Sequence, residues 1–68
     1  MKWEYCTLEW LWNSSQIKIN YPSGNEKLSQ GSYKEIVNTL NELGAEGWES
    51  VNCVSGGNWL FWTLKRGF

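Results

Sequence analysis

The chain has no histidine. That removes imidazole-based triads, His-ligated metals and the usual general base at neutral pH. What remains for chemistry is two cysteines, seven acids and six bases in 68 residues. Cys6 and Cys53 without a histidine make a poor zinc site. Each falls in a predicted strand and reads as a small buried hydrophobe. Glu4 with Glu9, or Glu46 with Glu49, could pair as acid and base. Nothing in the sequence marks a pocket around either pair, so they read as surface acids. Ser23-Gly24 and Gly56-Gly57 do not match a phosphate loop that opens a helix. The expectation is a non-enzymatic protein with no metal and no cofactor.

Aromatic residues are the chemistry in surplus: six Trp, three Tyr and two Phe. Such side chains dominate cores and interfaces and also make stacking platforms for bases. Trp10, Trp12 and Trp59 sit near predicted strand ends and turns, where the mouth of a pocket can form. Asn13 and Asn58 could read a base edge, and Lys18, Lys65 and Arg66 could meet phosphates. Tyr21 and Trp62 complete the candidate ligand set. The competing assignment for each tryptophan is core, most strongly for Trp48, and core or dimer interface for Trp3 and Tyr5. Net charge is −1 and the pI about 5.2, which argues against duplex nucleic acid as a partner. No apolar run approaches the roughly 20 residues of a membrane span. With no leader pattern in view, the cysteines read as free thiols in a reducing cytoplasm.

These groups need a scaffold, and the pattern supplies one domain of small α+β type. Residues 2–12, KWEYCTLEWLW, read as a strand with Trp3, Tyr5, Thr7, Glu9 and Leu11 on one face. Glu4, Cys6, Leu8, Trp10 and Trp12 take the other. Neither face is cleanly polar, so both are expected to be covered. Residues 13–15 are a turn, and 16–21 a short alternating strand. Residues 22–32 read as loop, with Pro22 stopping the strand. Ser32-Tyr33-Lys34-Glu35 fits a capping box, and Tyr33, Ile36, Val37, Leu40 and Leu43 follow as one apolar stripe. The helix is expected over 33–46, ended by Gly44 or Gly47, of which Gly47 suits a left-handed cap. Strands over 48–55 and 59–66 follow, joined by a Gly56-Gly57-Asn58 hairpin turn. The result is a small antiparallel sheet with one helix packed on one face. The bare face predicts a second copy of the chain as partner, in a homodimer or larger assembly.

Three stretches, KWEY at Lys2 to Tyr5, LNELGAEGWE at Leu40 to Glu49 and LKR at Leu64 to Arg66, resemble a small bacterial and phage family, domain of unknown function 4177. The resemblance implies a small α+β fold and no assigned activity. Trp10, Trp12, Trp59 and Trp62 depart from the family pattern. They suit a specialised binding surface, or equally extra core. Together these features predict a protein that sequesters a nucleotide-type small ligand, a sponge of the kind a phage would use against host defence. A protein-interaction module built on the tryptophan face and a purely structural oligomer are the alternatives.

Overall fold

A computed structural model describes residues 2–67. Its elements in order are β1 (Trp3–Leu11), β2 (Gln16–Asn20), β3 (Glu26–Gln30), α1 (Tyr33–Ala45), β4 (Glu49–Ser55) and β5 (Trp59–Gly67). The five strands form one antiparallel sheet in the order β3-β2-β1-β5-β4. The two long aromatic strands, β1 and β5, lie at the centre and pair over their full length, from Trp3 opposite Gly67 to Leu11 opposite Trp59.

Strand parity then decides which side chains meet the helix. Cys6, Leu8 and Trp10 of β1, Ile17 and Ile19 of β2 and Leu64 of β5 are buried with Ile36 and Leu43 of α1 and with Trp48. Each such side chain contributes about 1.5–3 kcal/mol when fully buried. The opposite side of the sheet carries Trp3, Tyr5, Thr7, Glu9 and Leu11 with their β5 partners Trp59, Phe61, Thr63 and Lys65. No element of the described residues covers this open face, so the expectation of two covered faces does not hold among them within a single copy.

Residues 22–32 are not all loop. Glu26–Gln30 adds an edge strand, β3, after a tight turn in which Tyr21 N–H donates to Asn25 O at 2.9 Å and Gly24 has φ +91°. All five of its residues are exposed and only Leu28 is apolar, so no hydrophobic alternation announces it. Backbone pairing with β2 holds it in place, helped by a Lys18–Glu26 ion pair at 3.3 Å. An exposed pair of that kind is worth about 0.2–1 kcal/mol.

The helix is specified at both ends. At its start, Ser32 donates from both its backbone N–H and its hydroxyl to the Glu35 carboxylate, each at 2.7 Å. The Ser32 hydroxyl, followed by its N–H, holds the Glu35 carboxyl below its usual pKa. This cap is therefore intact above the ordinary carboxylate range and is lost as pH falls through the lowered value. At its end, Gly47 N–H donates to Gly44 O and Trp48 N–H to Leu43 O, both at 3.0 Å, which is the Schellman arrangement. Gly47 has φ +95°, so it, and not Gly44, ends the helix. Leu43 and Trp48, the residues this motif brings together, are both buried.

Cys6 is buried as expected, but Cys53 is exposed. The reason is topological. β4 is an edge strand, the core under α1 is drawn mainly from β1 and β2, and all seven β4 residues are exposed. No helix of the described residues is long and apolar enough to cross a membrane.

Two outcomes test this architecture. Gly47→Ala should cost about 1–2 kcal/mol in denaturant unfolding, because a Cβ is strained at this φ and would meet Arg66 Cδ at 3.3 Å. Burial pushes the Cys6 thiol up to about 11. A neutral-pH alkylating reagent should therefore label the native protein once, at Cys53, and the unfolded protein twice. By the same raised pKa, stability should fall as pH climbs from about 9 to about 11. Two equivalents consumed by the native state at pH 7 would contradict the burial of Cys6.

Candidate functional site

Two turns lie side by side at one end of the sheet. The β1–β2 turn runs through Trp12, Asn13, Ser14 and Ser15, and the β4–β5 turn through Gly56, Gly57 and Asn58. Trp12 N–H donates to Asn58 O at 3.0 Å and locks them together. Ser15 has φ +54°, a left-handed conformation costing a non-glycine residue about 1–2 kcal/mol. It is held there by Ser15 N–H to Trp12 O at 3.3 Å and by Gly31 N–H to Ser15 O at 2.8 Å. The β4–β5 turn is closed by Gly56 N–H to Trp59 O at 2.9 Å. The Trp59 indole lies over Gly56, where any side chain would collide with it. Gly56 therefore serves space, and neither glycine of this turn has positive φ.

The aromatic side chains of this end fall on two sides of the sheet. On the helix side, Trp10 is buried, donates its indole N–H to Gly31 O at 3.1 Å and packs edge-on to Tyr33 at 4.7 Å between ring centres. Trp12 lies 6.1 Å from Trp10 and stays 44% exposed. On the open side, Trp59 sits opposite Leu11 and meets Phe61 edge-on at 6.3 Å. Register continues that row through Gln16 and Gln30. A hollow of about 390 Å3, lined by Ser14, Gln16, Leu28, Ser29 and Gln30, opens at this corner. Lys18, opposite both Glu9 and Leu28, lies one row further along the same face.

The nine candidate residues therefore do not form one site. Trp12, Asn13, Asn58 and Trp59 gather at the turn end, with Lys18 one row inward. Trp10 supports Trp12 from below as core. Trp62, opposite Leu8, and Tyr21 are half-buried against the helix-side core. Arg66 is at the far end: Trp10 pairs with Leu60 but Glu4 with Arg66, six residues along β1, or about 20 Å. Sequence reasoning missed Gln16, Gln30 and Ser14, which line the hollow. It also placed Tyr33 in the core stripe, whereas Tyr33 is 62% exposed beside Trp10. Its place directly after the helix cap was the available signal, since a first-turn residue lies at the margin of the buried stripe.

Arg66 is occupied by the protein itself. Its Nε donates to Glu4 Oε2 at 3.0 Å and its Nη1 to Glu46 O at 3.0 Å, and its guanidinium lies 4.3 Å from the Trp48 ring centre. The second contact caps a carbonyl at the end of α1, where a cation is favoured. Among the described residues no group of three or more Cys, Asp or Glu is placed to hold a metal ion.

Arg66→Ala should therefore destabilise the fold, by about 2–4 kcal/mol, through loss of a charged hydrogen bond, a helix-end contact and a cation–π contact. Glu4→Gln should cost less, because a neutral acceptor remains. A melting curve for Arg66→Ala that overlays the parent would remove Arg66 from the scaffold.

No protein-family model, no curated protein and no solved structure matches the chain, and its likeness to domain of unknown function 4177 rests on the three stretches quoted above.

Proposed function

We propose that the protein is a non-catalytic binding protein that captures a nucleotide-type small ligand at the turn end of its sheet. One observation carries this: a hollow edged by hydroxyl and amide side chains opens on the face and in the register row that carry Trp59. A base has a π-face for Trp59 and hydrogen-bonding edges for Asn13, Asn58, Gln16 or Gln30. Lys18 is the cation on that face nearest the hollow, and a phosphate would compete with Glu26 for it. Volume is compatible, since small-ligand sites run from about 300 to 1,000 Å3. Stoichiometric capture, with no turnover, fits a chain whose acids are scattered and whose Glu4 is held by Arg66. In a bacterial cytoplasm such a protein would lower the free concentration of a signalling nucleotide, which is the task of an anti-defence sponge.

The test is a thermal-shift and tryptophan-fluorescence screen against cyclic nucleotides and ADP-ribose-type nucleotides. A ligand at about 100 times its Kd adds about 2.7 kcal/mol, which raises Tm by roughly 10–20 °C in a domain this size. Gln16→Ala and Gln30→Ala should each weaken binding at least tenfold while leaving the unliganded Tm near the parent value. A panel that neither shifts Tm nor quenches fluorescence at millimolar concentration sinks the proposal.

A further inference from the structure

The largest bare apolar surface is the open face of the sheet. Trp3, Tyr5, Leu11, Leu28 and Val54 all lie on it and are each between 40% and 55% exposed. Register makes one continuous row of Leu28, Lys18, Glu9, Phe61 and Val54 across all five strands. These five apolar side chains alone expose on the order of 500 Å2, in the upper part of the about 300–600 Å2 of a typical monomer's largest patch, which is often functional.

We propose that a second copy of the chain covers this surface, open face against open face, as a two-layer β-sandwich. Area supports that occupant. Central strands of nine residues and five strands side by side give at most roughly 30 by 20 Å, or about 600 Å2 before side-chain relief, which raises the accessible area toward the about 800 Å2 per partner of a stable interface. Charge supports it too. The face carries Lys18 and Lys65 against Glu9, Glu26 and Glu49, so it is nearly neutral. Each lysine is also already partnered within the face. Lys18 reaches Glu26 at 3.3 Å and sits opposite Glu9. Lys65 lies 4.4 Å over the Trp3 ring and sits opposite both Tyr5 and Glu49. Two identical faces of net charge −1 bring no strong like-sign field into an isologous contact, and Lys18 and Glu26 enter it already paired. The centre is an uncharged pair, Thr7 opposite Thr63. A heterologous partner matched to one strong sign of charge would find no such sign here. This pairing rests on the face alone and not on a nucleotide; Leu28 and Lys18 belong both to the face and to the flank of the hollow, so a second copy would also cover that flank.

Light scattering and sedimentation across about 1–200 µM decide it. The wild-type chain should weigh twice its 7.9 kDa at the upper end. Tyr5→Lys with Val54→Lys should weaken the dimer at least a hundredfold with the circular-dichroism spectrum retained. Val37→Lys, on the exposed flank of α1, should leave the dimer intact. Isotope-filtered NOEs between labelled and unlabelled wild-type copies ask the same question without substitutions, and should run from Trp3, Tyr5 and Phe61. A wild-type chain that stays monomeric throughout overturns the proposal and gives the face to another partner. So does a dimer that survives the open-face lysines, or cross-copy NOEs confined to β4 or α1.

Discussion

Arg66 sits where three distant parts of the chain must agree. Glu4 comes from the start of β1, Arg66 from the end of β5, and Glu46 O with Trp48 from the end of α1. β1 and β5 are already paired, so their ladder needs no help. The helix is different: it reaches the sheet through an edge strand and leaves to the opposite edge. Its C-terminal end is held by Gly47, whose left-handed turn lets Trp48 fall back onto Leu43, and by the guanidinium that covers Trp48. Gly47 also lies against the Arg66 side chain, with only 3.3 Å between Cδ and the place a Cβ would take. The glycine thus serves a dihedral and a contact at once. Release of the guanidinium would uncover the Trp48 ring and free an α1 carbonyl, so this one charge serves the end of the helix and the sheet together.

The stretches Lys2 to Tyr5, Leu40 to Glu49 and Leu64 to Arg66 meet at Arg66. Their separation along the chain hides a single contact set: an acid on β1, a glycine-tryptophan pair after the helix and a base on β5 are parts of one clasp. In sequence, Arg66 looks like a free cation at a strand end, because a partner 62 residues away leaves no local trace. Its role became visible only through register.

Much of the rest was legible. The capping box, the Ile36, Leu40 and Leu43 part of the helical stripe, the left-handed glycine and four of the five strands are local or periodic signals, and local physics writes them directly; Tyr33 and Val37, at the stripe's margin, are exposed. β3 was not legible because it buries no side chain; it exists through backbone pairing to β2, to which a pattern of side chains is blind. Cys53 misled for the converse reason. An alternating strand was assumed to have a covered face, but burial is set by position in the sheet, and β4 is outermost. The split of the candidate site follows the same logic. Sequence can say that Trp12 and Arg66 both lie at strand ends. It cannot say that they are opposite ends of one central pair until the β1–β5 register is known.

A chain of this size gains only a few kcal/mol from its core, so where its aromatic residues go is a consequential choice. One helix can shield one side of a sheet, and the buried side chains of β1, β2 and β5 that pack on Ile36 and Leu43 fix which side that is, with the clasp at Arg66 and the Trp10–Gly31 bond holding the two ends. Strand parity then leaves Trp3 and Tyr5 exposed and Trp59 and Phe61 half-buried on the other side. Mobile loops could fold such rings away from water; a strand held in a sheet cannot. The exposure is a consequence of that parity, and it leaves a face whose apolar surface is buried only when something else arrives.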